Sequence, residues 1–259
     1  MKEKILAWLR LFRVVNLPTV PGDVLVGAAA MIALSPRAVA SGEAPVLTSV
    51  VVASVASVFL YMYGLADNDL VGASTDKGRP IPDGLVSPLA ARIARGLCWL
   101  AVLACGFVAR LPLEWWAVSL ALLVAIAFYN RTKLSVLMGF CRGANVLCGV
   151  AALSPRVIAA DSSRWSHLGT KGALAAFAAA ALWLVYIAAV TRYSEGEDQD
   201  EAKRRRVGFL VGAIVYLQLA ALIAFTFISP AVKPLLIAGA VLLVVLRLSK
   251  RMLPKVSAS

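Results

Sequence analysis

The sequence predicts an all-α fold, a polytopic bundle of eight transmembrane helices. Three observations predict it. Of 259 residues, 61% are hydrophobic and 15% charged, and the mean hydropathy is +0.83; a soluble domain is about half apolar and about a quarter charged. Apolar runs recur at close to the ~20 residues that a helix needs to cross hydrocarbon. These runs do not alternate at every second residue, which excludes β-barrel strands, the other architecture that satisfies its backbone in lipid. A chain of this kind is expected to fold as one domain over residues 1–259.

The formal net charge is +12. The basic residues lie between the apolar runs, so a nucleic-acid partner is not expected. Loops obeying the positive-inside rule and contacts with anionic lipid or substrate explain the charge better. Cys98, Cys141, Cys105 and Cys148 all fall in apolar runs with no metal-ligand spacing, and read as small core residues.

Residues 1–14 carry Lys2, Lys4, Arg10 and Arg13 and read as a basic interfacial helix. Their charges and the run AVA at 38–40 imitate a signal peptide. The apolar stretch between is too long, and Asn16, Pro18, Pro21 and Asp23 interrupt it. The spans are expected at 16–35, 46–67, 87–109, 113–129, 135–154, 172–192, 207–229 and 231–248. Basic residues concentrate in alternate connections: Lys77, Arg79, Arg92 and Arg95; then Arg131 and Lys133; then Lys203, Arg204, Arg205 and Arg206. That bias puts both termini in the cytoplasm. His167, the only histidine, falls in a non-cytoplasmic connection and has no expected role.

Three polar clusters then share one membrane face. The first is Tyr61–Gly84, YMYGLADNDLVGASTDKGRPIPDG. Asp69 and Asp76 are seven apart, nearly one face of a continuing helix, although Gly72, Gly78 and the RPIP run argue against a helix past about residue 74. Asn68, Asp69 and Asp76 are hard oxygen donors suited to Mg²⁺, which binds through one or two carboxylates plus substrate phosphates. Arg79 can fork onto a diphosphate oxygen. The alternative is a polar helix end with solvated charges. In the second cluster, Tyr129 and Lys133 are i, i+4 and offer a phenol and a point charge; an interfacial Tyr beside a snorkelling Lys is the plain alternative. The third, Thr191–Gly208, holds Glu195, Glu197, Asp198, Asp200 and Glu201. Five acids there are not required by the positive-inside rule, so a second metal-binding edge competes with a solvated loop. Within the fifth span, Arg142 and Asn145 are i, i+3 and should face the bundle interior, as substrate contacts or as a structural pair to an acid. Asn16 and Asp23, i, i+7, should face inward too.

The first cluster resembles the first aspartate-rich motif of the UbiA superfamily of intramembrane prenyltransferases, NDxxDxxxD followed by an RPxP turn. Asn68 and Asp69 match its ND, Asp76 its last Asp, and Arg79-Pro80-Ile81-Pro82 its turn. Tyr129 and Lys133 match the superfamily's YxxxK, and Arg13–Gly22 resembles the start of its first helix, with Asn16 in the matching place. The resemblance implies a helical bundle with a central cavity and a cytoplasmic cap. It implies a polyisoprenyl diphosphate donor, a prenyl tail lying between helices open to lipid, and an aromatic or lipid acceptor. Mg²⁺ would be held by Asn68, Asp69 and Asp76, with Glu197 and Glu201 as the nearest match to a second motif. Asp69, Asp76 and Lys133 would carry catalysis. Arg79, Tyr129 and Asn16 would join Arg142 and Asn145 around the substrates. The pieces YIAAVT and MGFCRGANV look like a bacterial branch of the superfamily rather than its quinone-pathway enzymes, and place the chain in a bacterial inner membrane.

The sequence departs from that pattern in four places. Gly72 stands where the motif has its middle Asp. The stretch from Asp76 to RPIP is short, the second acidic motif is not DxxxD, and eight spans stand against the usual nine. The expected activity is therefore Mg²⁺-dependent prenyl transfer, a transfer of an alkyl or aryl group other than methyl. The competing reading is a non-catalytic protein of the same fold that binds or moves isoprenoid lipid. A transporter would place its polar cluster nearer the midplane on broken helices, whereas these clusters sit at span ends.

Overall fold

A computed structural model describes residues 2–34, 43–74, 78–154, 171–195 and 200–253. Among them every regular element is helical: α1 (Lys2–Leu11), α2 (Pro21–Leu34), α3 (Glu43–Val71), α4 (Pro88–Val108), α5 (Leu113–Thr132), α6 (Ser135–Ala151), α7 (Lys171–Ser194), α8 (Glu201–Ile228) and α9 (Lys233–Met252), with short 3₁₀ segments at Val14–Thr19 and Pro230–Val232. Among the described residues, seven helical stretches are long and apolar enough to cross a membrane, and α6 is an eighth, shorter apolar helix. The chain is thus an integral membrane protein with close to the expected number of spans.

The largest difference from expectation lies at the N-terminus. The first span does not run unbroken from residue 16. Pro18 sits inside a 3₁₀ turn, and Pro21 starts α2 afresh, because proline has no N–H to donate and its ring fits the first helical turn. The break puts Asn16 on the turn and Asp23 on the helix, so the two do not share one helical face. The first 3₁₀ segment and α1 precede the span, and α1 packs inward through Ala7 and Leu11.

α2 is the centre of the bundle, buried from Gly22 to Ala33. Its sequence, PGDVLVGAAAMIAL, is rich in small residues, which lets neighbouring backbones come close, as helix pairs in membranes require. It contributes to both large apolar clusters, Val24 to the one with α3–α6 and Leu25 through Ala33 to the one with α3, α8 and α9. α6 packs on its other side. A Cβ on Gly27 would stand 2.0 Å from the Val146 carbonyl oxygen, and one on Gly149 would stand 2.1 Å from that of Val24. The opposite face of α6 uses Gly139 and Gly143 in the same way against Leu184 and Ala180 of α7. Outer faces of the surrounding helices show Leu89, Phe107, Leu182 and Phe227, all exposed, as lipid-facing surfaces do.

These contacts predict an asymmetry between glycines. Gly149→Ala forces its methyl against a backbone carbonyl, and overpacking of this kind costs about 1–3 kcal/mol. Gly96→Ala, whose Cβ meets nothing within 4 Å, should leave stability level or slightly raised. Thermal unfolding of the solubilised protein checks this, and equal melting temperatures for the two variants would contradict the packing.

Candidate functional site

Three helices each turn one stripe toward a common cavity of about 150 Å³. Tyr61, Gly64, Leu65 and Asn68 come from α3, Leu122, Ile126 and Tyr129 from α5 with Lys133 just past its end, and Met138, Cys141, Arg142 and Asn145 from α6. In each case the spacing is that of one helical face. Arg13 and Val20 close the cavity from the N-terminal segment, and Arg79 from the connection after α3. Among the described residues the lining carries four cations, Arg13, Arg79, Lys133 and Arg142, and no carboxylate. Leu60, Leu122, Ile126 and Met138 make its apolar part.

Each cation is positioned by local structure. After α3 ends, Arg79-Pro80-Ile81-Pro82-Asp83-Gly84 folds into a compact turn. The Pro80 carbonyl accepts from the Leu85 and Val86 amides, and Asp83 Oδ1 accepts from the Gly78 amide at 3.1 Å. Gly78 and Gly84 both take positive φ, 74° and 70°, a backbone conformation that favours glycine. Ile81 and Val86 pack with Ala7 and Leu11 of α1 and Ala91 of α4, so α1 holds the turn down. Arg79 is thereby aimed at Asp69, with Nη1 3.2 Å from Oδ1. Lys133 ends α5 in the left-handed region (φ 56°), its amide bonding to the Tyr129 carbonyl at 2.7 Å. Its ammonium donates to Asn68 Oδ1 and lies 5.9 Å from the Tyr129 ring centroid. Arg13 also stands in the left-handed region, φ 41°, at the start of its 3₁₀ turn.

The floor is held by a buried polar network. Asp23 is fully buried. It meets Arg142 Nε at 3.0 Å and accepts from Arg142 Nη2 (3.1 Å), Asn145 Nδ2 (3.1 Å) and Gln218 Nε2 (2.6 Å). Arg142 Nη2 and Gln218 Nε2 also donate to the Thr19 carbonyl, at 2.7 and 2.8 Å. Ser57 donates to Asn145 Oδ1 at 2.6 Å. At the mouth a second network pins α5. Asp67 accepts from Arg95 (2.6 Å) and from Asn130 (2.9 Å), and Asn130 also donates to the Gly64 carbonyl at 3.1 Å.

Of the residues expected from sequence, Asn68, Arg79, Tyr129, Lys133, Arg142 and Asn145 line the cavity, and Asp69 lies directly behind Arg79. The inward-facing Arg142 and Asn145 both line the cavity and bind Asp23. Asn16 lies on the 3₁₀ turn between Arg13 and Val20, which line the cavity. Asp76 and Glu197 lie outside the described residues. Glu201 is exposed and pairs with Arg205 one turn on, at 2.6 Å. The first two clusters therefore meet, through Lys133 with Asn68 and Asn130 with Asp67. Sequence reasoning missed Gln218, Ser57 and Met138, and, though Asp67 and Asn130 fall in its polar clusters, did not foresee that they bind each other. A lone Gln in the apolar run VYLQLAA was the available signal for Gln218, because polar residues inside spans face the interior. Ser57 gave none, since serine is common in membrane helices.

Asn68 and Asp69 together offer one amide oxygen and one carboxylate. Among the described residues no group of three or more His, Cys, Asp or Glu could hold a metal unaided. Hard oxygens in this number suit Mg²⁺ when substrate phosphates and waters complete the shell. In the structure Asn68 Oδ1 accepts from Lys133 and Asp69 Oδ1 from Arg79, so a Mg²⁺ ion here would share these oxygens with the two cations.

No protein-family model matches the chain, and no curated protein does. Among solved structures, it resembles that of a digeranylgeranylglyceryl phosphate synthase in membranes, with a TM-score of 0.50, 16% sequence identity, and coverage of 98% of this chain and 92% of that one. At that identity the likeness establishes a shared helical fold over nearly the whole length.

Breaking a buried ion pair by removing one partner costs about 3–5 kcal/mol, because the other charge is left uncompensated. Asp23→Ala should therefore lower the melting temperature far more than Asp83→Ala, which removes one bond in an exposed turn. Parallel melting curves on the two solubilised variants check this, and a drop no larger in Asp23→Ala would refute it.

Proposed function

We propose that this protein transfers a prenyl group from a polyisoprenyl diphosphate to an aromatic or lipid acceptor within the membrane. The observation that carries the reading is the cavity lining, in which the described residues bring four cations beside an apolar wall. An anionic head on a long apolar tail is the ligand that such a lining complements. The fold shared with a digeranylgeranylglyceryl phosphate synthase in membranes supports the same reading.

Prenyl transfer breaks the bond between the first prenyl carbon and the bridging oxygen, and the electron pair leaves with the diphosphate. Arg79 offers a planar fork and Lys133 a point charge to that growing negative charge. Preorganised donors of this kind are most effective where water is excluded. Tyr129, stacked beside Lys133, positions the ammonium. The acceptor's nucleophilic atom then bonds to the prenyl carbon and gives up a proton. Asn68 and Asp69 would hold Mg²⁺, with Asp76, Glu197 and Glu201 as further proposed ligands, and the metal would neutralise diphosphate charge. Arg142 and Asn145 are assigned to the substrate side through their place in the lining, and Asn16 through the turn it shares with Arg13. A bacterial inner membrane with both termini cytoplasmic fits the loop charges.

A second reading rests on Gly72. It is buried, its amide bonds to the Asn68 carbonyl at 3.0 Å, and it supplies no carboxylate where the resembling motif has one. On that reading the protein binds isoprenoid diphosphate or lipid without turnover.

Purified protein with labelled farnesyl or geranylgeranyl diphosphate, Mg²⁺ and a lipid extract separates the two. Transfer predicts a Mg²⁺-dependent lipid-soluble product that Asp69→Ala abolishes. Losing one preorganised charge costs on the order of a hundredfold in turnover, so Lys133→Gln should slow the reaction by about that much. Diphosphate binding that persists without Mg²⁺ and without product would overturn transfer in favour of the second reading.

A further inference from the structure

Away from the cavity, the groove between α8 and α9 holds two cations that the proposed reaction does not use. Arg247 donates from Nε and Nη2 to the Tyr216 hydroxyl, at 3.0 and 2.7 Å, and its guanidinium stacks 5.6 Å from the Tyr216 ring centroid. Lys250 stands one turn further along the same face of α9. Its ammonium is drawn down onto α8, where it donates to the Gly208 carbonyl at 3.3 Å. A Cβ at Gly212 would stand 2.8 Å from that ammonium, so glycine leaves the space it occupies. The described acids on this end of the pair are already engaged: Glu195 with Arg192, Glu201 with Arg205, and Asp200 capping α8. Among the described residues no carboxylate lies within ion-pair distance of Arg247 or Lys250.

The depth is that of a headgroup. Arg247 lies five residues before Met252, the end of α9, or about 8 Å along the axis at 1.5 Å per residue. Val244 and Leu248 beside it are exposed apolar surface. Two cations held by a phenol and a backbone carbonyl, over apolar surface at interfacial depth, complement a phosphate that carries net negative charge. A zwitterionic choline lipid fits worse. It brings its own cation, which Arg247 and Lys250 would repel.

We propose that Arg247, Lys250 and Tyr216, on the floor of Gly208 and Gly212, form a binding site for the headgroup of an anionic phospholipid. The site is independent of the prenyl-transfer reading.

Native mass spectrometry of the full chain, delipidated and then titrated with equimolar phosphatidylglycerol and phosphatidylcholine, tests it. Wild type should retain phosphatidylglycerol preferentially. Each interfacial cation contributes about 1 kcal/mol, so losing two should reduce that preference by roughly thirtyfold. Arg247→Gln with Lys250→Gln is the direct variant. Gly212→Ala keeps both charges but displaces the ammonium and should lose roughly fivefold, which gives a second readout if the double variant is poorly folded. Lys233→Gln, at the start of α9, should retain the wild-type preference. Equal retention of the two lipids by wild type, or an unchanged preference in both groove variants, would overturn the site.

Discussion

Asp23 is the constraint on which the rest of the bundle depends. A carboxylate with no exposure inside a membrane bundle is tolerated only when its charge and its lone pairs are both met. Here Arg142 supplies the charge, and Arg142, Asn145 and Gln218 supply donors. Those residues come from α6 and α8, while Asp23 is on α2. The same residues also donate to the Thr19 and Val20 carbonyls at the proline-broken start of α2. One buried anion thus fixes how three helices and the entering turn meet. A one-turn slide of α6 would unpair both charges and leave several buried polar groups unsatisfied.

Small residues make that geometry reachable. α2 and α6 approach until Gly27 and Gly149 each face a carbonyl of the other helix, and α6 approaches α7 through Gly139 and Gly143. Apolar burial gives no net drive between helices in lipid, so close contact and the polar network must fix their relation. With α6 fixed on one flank by α2 and on the other by α7, the stripe of Met138, Cys141, Arg142 and Asn145 is left for the cavity. The site is a consequence of how the helix is held.

Much of this was legible in the sequence, and the limits have physical causes. Spans were readable because lipid demands length and apolarity from each, and that demand is local. The Tyr61–Gly84 and Tyr129–Lys133 clusters were readable because polar residues at span ends stand out against an apolar background. The junction between them was not, since Lys133 meeting Asn68 and Asn130 meeting Asp67 join positions 63 to 65 residues apart. The Asp23 network was half visible. Asp23, Arg142 and Asn145 each read as inward-facing, but the partnership of Asp23 with Gln218, 195 residues away, has no local signature. The break at Pro18 and Pro21 was visible as an interruption. Its effect, a 3₁₀ turn that parts Asn16 from the Asp23 face, required the folded backbone.

Two of the lining cations pair with acids outside the lining, Arg142 with Asp23 and Arg79 with Asp69, while Lys133 meets the Asn68 amide oxygen, a neutral acceptor. Bare cations in a partly dry cavity would be costly, and acids in the lining would repel an anion. Setting the acids one layer back lowers the first cost while keeping positive charge toward the ligand. The two pairs differ in how far they can yield. Arg142 and Asp23 are both buried, with side-chain exposures of 9% and 0%, so separating them would strand a charge. Arg79 is 30% exposed and is carried on a turn rather than inside a span. On the proposed reading, the chemistry belongs at the α3–α5 end of the cavity, where Arg79 is carried on a turn, with the Asp23 end as its rigid floor.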